Sequence, residues 1–500
     1  MSVNKITSDL TTQFNITSSS NTWILDEDVS ITVANGEGIS NYFTNHDSTI
    51  VVNGHITAQA FARSGVFSQG LTAEIDISER GAIDAYNGVS ISGANSSVLN
   101  EGTITAANIG LYGRGSNLHL SNTGLIDAGF GIYVQSATDT TIDNTGTITG
   151  DTGIVIDSSH AKVKLRSSSV VDVQDTGLLF IGDRSSNVEN SGLIKSAAHA
   201  ITGSAAAETV INHGTIKGSI HLGAGNDYFD NRGGTIDHAI DGGAGDDTYH
   251  LNSTSDKVID SAGKDLVSTE FSASLTSYQT VEWLALRGSG NFNASGNALV
   301  NALYGNTGNN ILDGTGDGLV DFLAGDYGND TYVLGSEFEN ILEHGNKPTD
   351  VQQVDEAPIH TGDGNGDIPF EFENDPVELN PPSAEEAAVG GIDTITSTIS
   401  RDLSDYAYIE NLKLLGTSNI NGTGNALANV ITGNAANNVL NGGTEATAVI
   451  DTLDGGAGND TYVLGSGSDK VIDSTGTDTI TSTISRSLAS YSTIENLTLL

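Results

Sequence analysis

Two nine-residue stretches carry one pattern, Gly-Gly-x-Gly-x-Asp-x-apolar-x. They are Gly242-Gly243-Ala244-Gly245-Asp246-Asp247-Thr248-Tyr249-His250 and Gly455-Gly456-Ala457-Gly458-Asn459-Asp460-Thr461-Tyr462-Val463. The pattern recurs in register. Steps of nine from Asp460 reach Asp451, Asp469 and Asp478, and two residues after these four acids stand Tyr462, Leu453, Val471 and Ile480. Steps from Asp247 reach Asp256 and Asp265, with Tyr249, Val258 and Val267 following. Steps from Asp330 reach Asp321 and Glu339, with Tyr332, Leu323 and Ile341. Such a chain does not close around one central core; it stacks strand-and-turn units, each touching only its neighbours. Gly243, Gly245, Gly456 and Gly458 let the backbone take the positive φ of a tight turn. The apolar residue then points inward from a short strand.

The nonapeptides resemble the calcium-binding repeats of the RTX, or haemolysin-type, family. The resemblance covers the second half of the chain. It implies a parallel β-roll in which turn n stacks on turn n+2, so that acids eighteen apart face each other: Asp247 with Asp265, Asp451 with Asp469, Asp460 with Asp478 and Asp321 with Glu339. Asp330 pairs with Asp393 across an insertion, and Asp227 heads a further turn in Leu222-Gly223-Ala224-Gly225-Asn226-Asp227. Calcium takes six to eight oxygen ligands. Facing carboxylates repel unless something positive lies between them, so Ca2+ is the expected cofactor. Asn301, Asn310, Asn429 and Asn438 hold the acid position in other turns and bring less charge. Asp256 lacks the glycine turn and ranks behind the rest. The resemblance also implies secretion, through type I machinery reading an uncleaved C-terminal signal.

The first half repeats differently. Asn-x-Gly-x-Ile occurs at Asn100, Asn122, Asn144, Asn190 and Asn212. The step between copies is constant except after Asn144, where it roughly doubles around a degenerate copy at Ser167/Ser169/Val171. A step of about 22 residues falls among the repeat lengths of solenoids and makes one coil of a parallel β-helix. The asparagines are expected to stack as a ladder. Half a coil later a second strand opens with glycine, as at Gly88, Gly110, Gly131, Gly153 and Gly177. In architecture this resembles the right-handed β-helices of polysaccharide-active enzymes and autotransporter passengers.

The expected organisation is a cap or first strand over 1–29, a β-helix over 30–240, a roll module over 241–345, an acidic insertion over 346–390 and a second roll module over 391–500. The insertion holds all six prolines and reads as disordered. Its Asp363-Gly364-Asn365-Gly366-Asp367 resembles the opening of an EF-hand loop, but Ile368 and Asn374 stand where that loop needs Gly and Glu. Asp393–Ser400 repeats as Asp478–Ser485, and the chain stops mid-repeat at Leu500, which suggests a longer protein.

Net charge is −44, from 63 acids against 19 bases. Nucleic acid and anionic membranes are poor partners for such a chain, and divalent cations good ones. With no cysteine, the chain needs a staple other than disulfides if it is exported, and calcium can serve. No apolar run is long enough to span a bilayer. There is no nucleophile elbow, zinc-protease motif or phosphate loop. The outward column Asp84, Thr105, Asp127, Thr149, Lys195 and Lys217 reads as a solvated face. The one basic cluster is His160, Lys162, Lys164 and Arg166, near Asp172, Asp175, Asp183 and Arg184, and could meet a uronic-acid polymer or cell surface. The expected fold is all-β, a parallel β-helix followed by a calcium-binding β-roll. The expected function is that of a secreted calcium-binding protein with the helix as stalk or adhesive surface. The alternatives are a secreted polysaccharide lyase, epimerase or hydrolase, and a surface-layer or biofilm protein.

Overall fold

The computed structural model describes residues 2–42, 47–182, 184–316, 318–335, 339–342, 390–443, 449–465 and 468–500. Their regular structure is almost wholly parallel β, interrupted by single 3-10 turns at Leu275–Ser277, Leu403–Asp405 and Leu488–Ser490. The chain is an all-β parallel solenoid with coils of about 22 residues. It divides into two compact units, one running through Asp265 and one from Leu266 onward.

In the first unit each coil contributes a short strand and a longer, bent one. The short strands stack through Ser97, His119, Thr141, Lys162, Asn187 and Thr209, each pairing with the next. The longer strands stack Ile83, Ile104, Ile126, Ile148, Val171, Ile194 and Ile216 in one column. All seven are buried. Alternation places every second residue inside, and the repeat returns the same aliphatic to the same place in each coil. The strand-opening glycines are needed for close approach. A Cβ on Gly110 would overlap the Ile126 side chain and the Gly131 carbonyl.

The asparagines form the ladder. Asn100 Nδ2 donates to Asn122 Oδ1 and Asn122 Nδ2 to Asn144 Oδ1, both at 2.7 Å. Asn144 then meets Ser169 Oγ at 2.5 Å, where the repeat is degenerate. The ladder resumes from Asn190 to Asn212 and from Asn212 to Asn231, each at 2.8 Å. Every one of these asparagines is fully buried, so the ladder satisfies amides that would otherwise be orphaned.

Residues Val3–Ile6 pair with Thr22–Leu25, which pair with Thr49–Val52. Strands within 3–25 thus belong to the stack. At the other end, Phe229 pairs with Val210 and Tyr249 with Phe229. The inward column turns from aliphatic to aromatic where the nonapeptides begin. The two units therefore part at Asp265 and Leu266, well beyond the 240/241 change of repeat. The reason is that the first nonapeptide strands hydrogen-bond directly onto the asparagine-ladder coils.

In the second unit strands follow one another at about nine residues and pair alternately. Thr452 pairs with Lys470 in one sheet, and Thr461 with Thr479 in another. The inward residues Tyr332, Leu453, Tyr462 and Ile480 are fully buried. Residues 343–389, with most of the expected insertion and its EF-hand-like stretch, lie outside the described residues. Their flanks stack as adjacent coils. Thr331–Leu334 pairs with Thr394–Ser397, and Gly328 N–H donates to the Gly390 carbonyl at 3.0 Å. Deleting 346–389 is expected to leave the β-sheet signal intact and Tm unchanged or raised, since a shorter connection has less closure entropy to lose. Circular dichroism and melting of the deletion variant check this; loss of β structure would make the segment part of the fold.

Candidate metal centres

The acid positions stand one coil above another, and the contact between them is specific. A carboxylate oxygen of each acid accepts the backbone N–H of the equivalent residue one coil earlier. Asp265 Oδ1 accepts from Asp247 N at 2.9 Å, Asp247 Oδ1 from Asp227 N at 2.7 Å, and Asp227 Oδ1 from Glu208 N at 2.6 Å. Glu339 Oε2 accepts from Asp321 N and Asp393 Oδ1 from Asp330 N, both at 2.6 Å. Asp469 Oδ1 accepts from Asp451 N at 3.2 Å, and Asp478 Oδ1 from Asp460 N at 2.8 Å. All the expected eighteen-residue pairs, and Asp330 with Asp393, are thus brought together. A charged acceptor on a backbone N–H is a strong hydrogen bond, but it uses one oxygen of each carboxylate. The second oxygens of Asp227, Asp330 and Asp460 are buried with no hydrogen-bond partner.

At two places a third carboxylate closes in. Asp247, Asp260 and Asp265 each present an oxygen within 4.8 Å of the other two, and so do Asp460, Asp473 and Asp478. Calcium–oxygen distances run from 2.3 to 2.6 Å, so oxygens that close can all touch one ion. Each cluster has a buried phenol against it. The Tyr249 hydroxyl lies 3.3 Å from Asp247 Oδ2 and donates to Asp260; the Tyr462 hydroxyl donates to Asp473. Burial beside carboxylates raises both phenols far above their usual range, so they stay protonated donors. Burial likewise raises Asp247, Asp260 and Asp473. Asp460 is pushed up to about 6 by burial, with the Asp473, Asp478 and Asp454 carboxylates adding to it. Away from the clusters, burial pushes Asp330 to about 7 and raises Glu208 and Asp227.

The turn glycines behave as the pattern requires. Gly243, Gly245, Gly456 and Gly458 have φ of +103°, +132°, +83° and +128°. Gly245 also abuts the Gly225 carbonyl, leaving no room for a Cβ. Among the described residues, only the two clusters gather three carboxylates this closely. Asp321, Asp330, Glu339, Asp393, Asp451, Asp469 and Asp227 stand in columns outside them. The asparagines at the acid position do something else: Asn438 Oδ1 accepts from Asn434 N at 2.9 Å, and its Nδ2 donates to the Ile420 carbonyl at 2.6 Å.

Asp260 and Asp473 were not anticipated, although the sequence marks them. Ser255-Asp256-Lys257-Val258-Ile259-Asp260-Ser261 recurs unchanged as Ser468–Ser474. Both acids lie off the nine-residue register, thirteen after the nonapeptide Asp and five before its partner. The same heptapeptide makes Asp256 the counterpart of Asp469. Asp256 Oδ2 accepts from Asn231 Nδ2 and Asn252 N, each at 3.0 Å, and so ends the asparagine ladder.

Two members of the basic cluster have acidic partners on neighbouring coils. Arg166 grips Asp143 through two nitrogens at 3.0 and 2.7 Å, and Lys164 stands 3.6 Å from Glu189. Arg166 holds the Asp143 carboxyl below its usual value. Asp183 lies outside the described residues. Three residues of the outward column, Asp84, Thr105 and Asp127, line a shallow open groove of about 490 Å³ together with Tyr86, Ala106, Gly150 and Asp151. Bulges shift the strand register beside it, between Ala85 and Asn87 and between Ala106 and Ile109, and bulges bend strands. Its acids disfavour a polyanion. No helix among the described residues is long and apolar enough to cross a membrane. No protein family, curated protein or solved structure matches the chain.

Proposed function

We propose that this chain is a secreted RTX-like calcium-binding protein whose nonapeptide coils are ordered by Ca2+, with the asparagine-ladder coils as a preformed stalk or adhesive surface. The observation that carries the reading is the duplicated three-carboxylate cluster. In it, Asp460 is 1 % exposed and keeps one carboxylate oxygen without a protein partner, beside Asp473 and Asp478. Three converging carboxylates with a buried, unsatisfied oxygen suit a hard dication that prefers oxygen ligands. The alternate pairing of nine-residue strands and the positive φ of the turn glycines support the β-roll form of the fold. Export by type I machinery rests on the motif resemblance alone. Lys164 and Arg166 are already partnered by Glu189 and Asp143, which weakens the case for a uronic-acid polymer there, and no enzymatic role is assigned.

Calcium titration calorimetry of the full chain tests the reading. Asp260→Asn and Asp473→Asn are each expected to weaken one class of sites by at least about tenfold, the effect of losing one charged ligand worth roughly 1.4 kcal/mol. Their double variant is expected to lose both. Unaltered calcium uptake in the double variant would overturn the assignment of these clusters.

A further inference from the structure

Two histidines on neighbouring coils of the first unit stand outside the carboxylate columns. His199 lies opposite Ser219, and His221 opposite Asp241, in the parallel register of the long strands. Their rings face outward with centroids 5.4 Å apart and planes at 68°. His199 is exposed, and the His221 side chain is 44 % accessible.

A hydrogen bond engages Nδ1 of each ring. His221 Nδ1 is 2.9 Å from Asp241 Oδ2. A carboxylate is an acceptor there, so Nδ1 carries the proton. His199 Nδ1 is 2.8 Å from Ser219 Oγ. That hydroxyl also donates to the Ala198 carbonyl at 3.1 Å, which leaves an oxygen lone pair for a proton on His199 Nδ1. Nδ1 is thus engaged on both rings, which leaves Nε2 as the nitrogen a metal would take. An oxygen holding one ring nitrogen while the other takes a metal is the usual support of a metal-binding histidine.

We infer that His199 and His221 form a site for a borderline-soft divalent transition metal, of the zinc, nickel or copper class. Imidazole nitrogen suits these ions, whereas calcium takes oxygen ligands. The two Nε2 atoms supply the protein ligands, water completes the shell, and Asp241 and Ser219 are positioning residues. Because it shares no side chain with the carboxylate clusters, the site stands or falls independently of the calcium reading.

The test is zinc titration calorimetry of the full chain, with and without excess Ca2+. One zinc ion is expected to bind in both conditions. His199→Ala and His221→Ala are each expected to abolish that event, and Asp241→Asn to weaken it about tenfold or more. Copper loaded on the unaltered chain is expected to show two imidazole nitrogens in its paramagnetic resonance, a readout that needs no variant to fold. Zinc binding that survives both histidine variants would overturn the site. So would a parent that takes up no zinc, zinc displaced by calcium, or copper without imidazole coupling.

Discussion

Chelating calcium from the full chain at neutral pH is expected to open the nonapeptide coils and leave the asparagine-ladder coils closed. In the cluster coils, carboxylates from successive turns converge within 4.8 Å, in a chain of net charge −44. Backbone N–H groups satisfy one oxygen of each stacked acid, as from Asp460 to Asp478 at 2.8 Å, but not the buried second oxygen of Asp460. Glycine-rich turns also lose much chain entropy on ordering. A bound ion converts repulsion to coordination and contributes RT ln(1 + [Ca]/Kd), about 2.7 kcal/mol per site at a hundredfold excess over Kd. Two such sites are worth roughly 5 kcal/mol, comparable to the whole stability of a typical domain. The ladder coils from Ile83 to Val188 are held instead by buried aliphatics and amide–amide bonds. Hydrogen exchange with and without calcium reads the difference coil by coil. Protection around Tyr462 and Ile480 should fall to the exposed-chain level in chelator, while that around Ile126 and Ile148 stays. Equal protection at Tyr462 in both conditions would remove calcium from the folding of these coils. Extracellular calcium modules often bind at about 10⁻⁴–10⁻³ M, so the proposed chain would stay open in a calcium-poor cytosol and close outside.

What the sequence made legible follows from periodicity. A residue returning at a constant step occupies the same place in each coil, so the aliphatic column through Ile104 and the asparagine column through Asn122 could be read from spacing alone. Spacing also located the degenerate coil, but not its details: Leu165 rather than Ser167 stands opposite Asn144 and Asn190, and Ser169, aligned by the repeat with glycine, takes the hydrogen bond. Off-register contacts were not readable in that way. Asp260 and Asp473 reach their clusters from the strand that follows, and a nine-residue step passes over them. The groove beside Asp84 and Asp127 escaped notice because alternation gives which side of a strand a residue faces, not where a bulge bends it. Nor could the pairing of Lys164 and Arg166 be seen, since Glu189 and Asp143 come from neighbouring coils. The eighteen-residue pairs carried a similar ambiguity. Spacing placed Asp460 beneath Asp478, but only the folded chain shows that the facing group is a backbone N–H rather than a bare carboxylate.

Burial of these carboxylates, which outweighs the backbone N–H contacts that favour the charged form, makes calcium-free stability depend on pH in an unusual direction. Burial pushes Asp330 to about 7 and Asp460 to about 6, and it raises Glu208, Asp227 and Asp247 as well. An acid whose folded pKa lies above its unfolded value binds a proton more tightly when folded. Its stabilising contribution is complete below the unfolded value and is lost as pH rises through the folded one. The window for Asp330 and Asp460 therefore runs from about pH 4 to pH 7. The depressed carboxyl of Asp143, held by Arg166, acts below its usual value and so lies outside the window. In calcium-free buffer, Tm at pH 5 is expected to exceed Tm at pH 8 by at least about 5 °C. With saturating calcium the order should flatten or reverse, because protons and calcium compete for the same oxygens. Asp460→Asn separates the two effects. Asparagine already occupies this place at Asn438, where its amide donates to the Ile420 carbonyl. The variant should melt higher than the parent at pH 8 without calcium and gain less from adding it. A calcium-free chain that is more stable at pH 8 than at pH 5 would mean that the buried carboxylates are stabilised as charges without an ion.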